Sequence, residues 1–97
     1  MRVNVSSHDL KVSDHAHHFH PFTDHGALGV DERRVISRAD GVWLWDTDGN
    51  RIMDGMAGLW CVNVGHGRNE IVEAVRAQIS ELAYYNTFFK TSHPPVI

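Results

Sequence analysis

The strongest periodic pattern of apolar positions lies toward the C-terminal end. Ile71, Val72, Val75, Ile79 and Leu82 recur at three- and four-residue steps, with Glu73, Arg76 and Ser80 mostly on the opposite side. That spacing predicts a helix over residues 70–83, capped by Asn69. Upstream, Val42-Trp43-Leu44-Trp45 and Arg51-Ile52-Met53-Asp54 are β-prone runs on either side of Asp46-Thr47-Asp48-Gly49-Asn50. The Asp-Gly step can supply a positive φ, so a hairpin is predicted. Because strand side chains alternate, Val42 and Leu44 share one face and Trp43 and Trp45 the other, and both faces require cover. Between hairpin and helix, Gly55, Gly58, Gly65 and Gly67 punctuate the apolar segment Leu59-Trp60-Cys61-Val62-Asn63-Val64, which has neither a helical nor a strand period. A packed, irregular loop is expected there. Residues 1–41 lack sustained apolar periodicity and are expected to form an arm, with a short strand at Arg33–Arg38 closed by the Asp40-Gly41 turn signal. Thr91-Ser92-His93 precede Pro94-Pro95, a helix-start signal at which the sequence stops.

The 97 residues, 42% of them hydrophobic, fit one ordinary globular domain at most and exclude disordered and collagen-like classes. A chain of this size buries only somewhat more than about 60% of its unfolded surface, so a self-sufficient core is marginal. The net charge of −3, with no cluster of Lys and Arg, argues against nucleic acid as a partner. Cys61 is the single cysteine and cannot form an intrachain disulfide, and Met1-Arg2-Val3-Asn4 lacks the apolar core of a signal peptide. A cytoplasmic location is therefore expected. The longest apolar stretch, Met56 to Val62, is far short of the roughly 20 residues a bilayer requires, so no membrane association is expected.

Several groups invite chemical readings. Asp14-His15-Ala16-His17-His18-Phe19-His20 resembles metal-ligand chemistry, since alternating His-x-His would place two imidazoles on one side of a strand. No apolar neighbours fix such a strand, and an arm of solvated or hydrogen-bonded histidines accounts for the same residues. In Asp46–Asn50 a calcium loop of the EF-hand type is excluded by register, because Gly49 would be fourth and Ala57 twelfth, where glycine belongs sixth and glutamate twelfth. Gly65-His66-Gly67-Arg68 before the helix could cradle a phosphate or could simply be a tight turn. Cys61 sits among apolar residues and is read as packing. Lys90, after Phe88-Phe89, could form a Schiff base only if aromatic burial lowered its pKa. The aromatics on irregular segments, Phe22, Trp60, Phe88 and Phe89, suit either a core or the walls of an apolar ligand site.

Three stretches carry a family resemblance. They are His18-Phe19-His20-Pro21-Phe22-Thr23-Asp24, the 28-residue block Gly41–Arg68 with its Asp54-Gly55-Met56-Ala57-Gly58-Leu59-Trp60-Cys61-Val62-Asn63-Val64-Gly65-His66-Gly67 run, and Tyr84-Tyr85-Asn86-Thr87-Phe88-Phe89-Lys90-Thr91-Ser92-His93-Pro94. Together they resemble, in one register from about residue 14 to residue 97, the N-terminal region of class III aminotransferases. The ω-transaminases acting between an amine and pyruvate are most similar, with the polyamine–pyruvate members close behind. The resemblance implies an α/β enzyme of fold type I, dependent on pyridoxal 5′-phosphate and working as a homodimer or dimer of dimers with active sites at the subunit interface. Residues 1–41 would be its N-terminal arm and residues 42–97 the start of its small domain, ending before the large cofactor-binding domain. In that family the cofactor is held as a Schiff base on a lysine, with an aspartate on the pyridine nitrogen and a Gly-Ser loop on the phosphate. All three would lie beyond residue 97, and Lys90 does not match the Schiff-base lysine. Phe22, Leu59 and Trp60 match residues lining the substrate pocket, Trp60 as an apolar wall, and Phe88 matches one delivered across the interface into the partner's pocket.

The expectation is thus an N-terminal piece of a transaminase that exchanges amines, or polyamines, and pyruvate. The alternative is a small module that binds metal through His15, His17 and His18, or that pairs with another subunit through Phe88 and Phe89. The 97-residue chain expressed alone and mixed with pyridoxal phosphate is expected to give no borohydride-reducible adduct and no transamination; a stoichiometric adduct on Lys90 with amine transfer to pyruvate would overturn this.

Overall fold

The computed structural model describes residues 5–97. The element order is α1 (Ser7–His17), β1 (Ile36–Asp40), β2 (Trp43–Asp46), β3 (Arg51–Met53), the single turn α2 (Ala57–Trp60), α3 (Asn69–Glu81) and a 3₁₀ turn at Pro94–Val96. Two compact units divide these elements, Met1–His66 and Gly67–Ile97. The signal-peptide reading of Met1–Asn4, and the first four residues of the expected arm, lie outside the described residues.

In the first unit the three strands form an antiparallel meander in the order β1-β2-β3. The predicted hairpin is its second half, with Trp43 opposite Met53, Leu44 opposite Ile52 and Trp45 opposite Arg51. Asp46 builds the turn between them. Its Oδ1 accepts the backbone N–H of Asp48 at 3.1 Å and of Asn50 at 2.8 Å, and its Oδ2 accepts the Asn50 side-chain amide at 2.9 Å. Gly49 takes the positive φ of 88° that the turn demands. Asp40 pairs with Trp43 across a two-residue connection that starts with Gly41 at φ 56°, so the expected strand end is a second hairpin. Leu44 shares one face with Ala39 and Ile52, while the indoles of the other face are covered by guanidinium groups. Arg38 lies 3.6 Å from the ring centre of Trp45, and Arg51 lies 4.4 Å from that of Trp43.

Within the expected arm, residues 7–17 form helix α1. Ser6 caps it, its Oγ accepting from the N–H of Asp9 at 3.1 Å. The inward stripe at i, i+4 and i+7 is polar. Ser7 donates to Asp48 Oδ1 at 2.6 Å, the Lys11 ammonium donates to Asp48 Oδ2 at 2.6 Å, and Asp14 lies 3.4 Å from Arg33 Nε. Lys11 is buried, and with Ser7 it fastens the helix to the β2–β3 turn. Apolar periodicity could not reveal a helix whose docking face is written in hydroxyl and charge.

In the second unit α3 runs over Asn69–Glu81, close to the predicted span. Asn69 does not cap it: Arg68 occupies that position without a side-chain cap bond, and Glu70 supplies the acidic first turn favoured by the helix dipole. At the other end the N–H of Leu82 donates to Gln78 O at 2.8 Å, and the Gln78 side chain donates back to Leu82 O at 3.0 Å. The predicted apolar stripe is present but uncovered, with Ile71, Val72, Val75 and Ile79 each at least half exposed. The helix start signalled by Pro94 is a 3₁₀ turn of three residues with proline at its first positions.

Among the described residues no apolar side chain is buried; the buried ones are Lys11, Arg33 and Asp46. Among them, too, no helix is long and apolar enough to cross a membrane. Gly65 (φ 90°) and Gly67 (φ 73°) separate two kinds of glycine constraint. A Cβ on Gly65 would lie 3.3 Å from Gly41 O, whereas a Cβ on Gly67 meets nothing within 4 Å. Gly67→Ala is expected to cost about 1 kcal/mol from backbone strain alone, and Gly65→Ala about 2–3 kcal/mol from strain plus the close approach. Urea-denaturation midpoints of the two variants check the order.

Candidate functional site

The irregular loop expected after the hairpin is an ordered, left-handed turn. Ala57, Gly58, Leu59 and Trp60 have φ values of 49°, 58°, 63° and 70°. Three of these carry a Cβ, and the left-handed region costs such residues about 1–2 kcal/mol each. Conformations of this kind persist where surrounding bonds over-determine them, and they gather at functional sites. Here the N–H of Trp60 donates to Met56 O at 3.0 Å, while the N–H groups of Cys61 and Val62 both reach Ala57 O at 2.9 Å.

The Asp54 carboxylate sits behind the turn with a side chain 7% exposed. Its Oδ1 accepts the N–H of Met56 at 3.1 Å, and its Oδ2 accepts both the N–H of Gly58 at 2.9 Å and the Nε2–H of His66 at 2.8 Å. These bonds, with that to His66 foremost, hold the Asp54 carboxyl below the usual carboxylate range. Both residues are tied to the sheet. The N–H of Asp54 donates to Val42 O at 2.8 Å, and His66 exchanges backbone bonds with Gly41 at 2.8 and 3.0 Å. A Cβ on Gly58 would approach Val62 Cγ2 to 3.1 Å, so glycine also suits the turn's tight interior. Sequence reasoning missed Asp54 and His66. In the sequence Asp54 ends a β-prone run and His66 belongs to the Gly65–Arg68 turn, and the eleven residues between them conceal their pairing.

Leu59 and Trp60, the predicted wall, project from this turn and are 53% and 81% exposed. Phe22, also with a positive φ, stands fully exposed in the expected arm. Phe88 is 68% exposed in the second unit, its ring edge-on to Phe89 at 6.4 Å. The structure therefore brings Leu59 and Trp60 together on one turn and leaves all four predicted pocket residues open to solvent. Cys61, expected to pack, is exposed, its thiol turned back onto the carbonyl of Leu59 at 3.3 Å. Lys90 is exposed beside exposed phenylalanines, so the aromatic burial its Schiff-base reading needed is absent. Lys11 has its ammonium committed to Asp48. The two lysines do not fit the Schiff-base role of pyridoxal phosphate.

The histidine-rich segment is not a strand, so the grouping of His15, His17 and His18 as ligands fails. The His15 ring accepts from Arg33 Nη2 at 2.8 Å, and the His17 ring bonds the carbonyl of Ser13 at 2.9 Å. The structure instead brings Asp14, His18 and His20 within 4.8 Å of one another. Asp14 is already balanced there: its Oδ2 accepts from His20 Nε2 at 2.7 Å, which chiefly depresses the Asp14 pKa, and the buried Arg33 guanidinium lies 3.4 Å away. A divalent cation would have to displace the His20 hydrogen bond and tolerate the Arg33 charge.

Comparison with known proteins settles the lineage. The sequence pattern of the class-III aminotransferases matches residues 27–96, most of the chain. The chain belongs to the class III aminotransferases. It is 49% identical over 95 residues to a putrescine–pyruvate aminotransferase of Pseudomonas aeruginosa, covering 98% of this chain and 21% of that protein. Among solved structures, a thermostable (S)-enantioselective omega-transaminase from Thermomicrobium roseum superposes with a TM-score of 0.86 at 44% identity, over 97% of this chain and 21% of that one. An amine transaminase from an uncultivated Pseudomonas species, in its PLP-bound form, gives a TM-score of 0.76 at 45% identity, over 82% and 18%. The chain thus spans about a fifth of the length of these relatives.

Because the Asp54 pKa is depressed on folding, the stability it contributes is present above the ordinary carboxylate pKa of about 4 and is lost as pH falls through the lowered value. In a Trp43→Phe, Trp45→Phe background, Trp60 fluorescence is expected to hold steady from neutral pH to about 5 and to change only below about 4, with Asp54→Asn giving the acid-type spectrum already at pH 7.

Proposed function

We propose that this class III aminotransferase chain forms the substrate-wall portion of a pyridoxal phosphate-dependent transaminase moving an amino group between an amine, or a polyamine, and pyruvate. The observation that carries this reading is the strained turn that holds Leu59 and Trp60 outward on a rigid frame, in a chain 49% identical to a putrescine–pyruvate aminotransferase. Side chains whose burial is deferred until something docks against them are what an apolar substrate wall requires. When bound, the cofactor supplies an electron sink for the amino-transfer chemistry. Its lysine, aspartate and phosphate loop belong, by family resemblance, to residues beyond this chain.

Leu59 and Trp60 exclude water from the amine substituent and orient it by apolar contact, and Phe22 extends that surface. Phe88 acts on the neighbouring subunit's pocket, so the working form is a homodimer or dimer of dimers. A location in the cytoplasm accords with this chemistry. The exposed stripe of α3 supports the same reading, since four aliphatic side chains in water cost free energy unless another surface covers them.

In the enzyme containing this chain, Trp60→Ala is expected to remove about 2 kcal/mol of apolar contact, lowering kcat/KM for an arylalkyl amine roughly 30-fold, chiefly through KM. Phe88→Ala should act in the same direction, and mixing it with a Trp60→Ala subunit should restore one intact site per dimer. Steady-state kinetics with pyruvate as acceptor check both; unchanged amine kinetics in Trp60→Ala would refute the wall assignment.

A further inference from the structure

We infer that Asp54 and His66 are positioning residues for amine selectivity: their hydrogen bond, behind the wall, sets where Leu59 and Trp60 stand. This rests on the proposed role of those two side chains as substrate wall. Neither Asp54 nor His66 is exposed enough to be a wall residue itself, with side chains 7% and 20% exposed. The turn's backbone bonds from Trp60 to Met56 O and from Cys61 and Val62 to Ala57 O lie within the segment and do not tie it to the sheet. Two of its N–H groups, those of Met56 and Gly58, end on the Asp54 carboxylate, and that carboxylate is oriented by the single His66 Nε2–H. His66 is in turn fixed by its paired backbone bonds to Gly41, so the reference point of the wall is the β1–β2 hairpin.

An anionic acceptor shared by three donors has strict geometry, and losing the imidazole donor frees the carboxylate to rotate away from Gly58. The backbone at Leu59 and Trp60 can then relax from its left-handed conformation, which swings both side chains. A displaced wall penalises amines whose substituent must fill the pocket more than amines slender enough not to touch it.

The test uses the intact enzyme that contains this chain, with benzylamine and 1,4-diaminobutane as probes and pyruvate as acceptor. His66→Leu, which removes the donor, is expected to lower the benzylamine-to-diaminobutane ratio of kcat/KM about tenfold, mainly through the KM for benzylamine. His66→Gln, which can return an N–H to Asp54, is expected to recover most of the ratio; this variant also keeps the inference testable if His66→Leu folds poorly. Equal losses for both amines, no change, or a His66→Gln ratio as low as that of His66→Leu would each overturn it. Trp60→Ala serves as the control. If it shifts the ratio and His66→Leu does not, the positioning role alone fails; if Trp60→Ala leaves the ratio untouched, the wall reading fails and this inference with it.

Discussion

The carboxylate of Asp54 accepts hydrogens from two backbone amides and an imidazole, and the shape of the loop that follows the sheet depends on all three. Together with the backbone bonds inside the turn, they oppose the steric cost of a left-handed run through Ala57, Leu59 and Trp60. The carboxylate is held by a frame that is itself simple: one backbone bond to Val42 and, through His66, a pair to Gly41. A short meander thus supplies the fixed coordinates, and a shared anion transfers them to two apolar side chains.

The same logic recurs wherever the first unit holds together. Asp46 winds the β2–β3 turn through three accepted hydrogens, Asp48 receives Ser7 and Lys11 of α1, and Asp14 meets His20 and Arg33. Each of these carboxyls is pushed to lower pKa chiefly by a side-chain hydrogen bond, from Asn50, Lys11 and His20 respectively. Buried hydrocarbon plays no comparable part among the described residues. A small chain whose interior consists of directed polar contacts gains definite geometry from them, but modest net stability, because each bond replaces one that water would make.

What the sequence revealed divides along this line. The hairpin and α3 were legible because their signals are local: an Asp-Gly turn between β-prone runs, and aliphatic residues at helical spacing from Ile71 to Leu82. Helix α1 was not, because its period is carried by Ser7, Lys11 and Asp14, residues that ordinarily mark a solvated surface. Asn69 looked like a cap from its residue type, yet the chain enters the helix one residue earlier. Of the site, Leu59 and Trp60 were recognisable through family resemblance, whereas the turn that presents them was hidden. Only Gly58 among its four residues advertises a positive φ, and the Asp54–His66 contact exists only once the loop has closed.

The left-handed turn separates two tasks that most loops combine. Its winding is enforced from one side, by main-chain bonds and the Asp54 carboxylate, while the side chains of Leu59 and Trp60 leave from the other side, more than half exposed. Identity at those two positions is therefore free to drift without loosening the scaffold, provided each newcomer tolerates the backbone. Such a segment lends itself to redesign: one bracket on which different facings can be mounted.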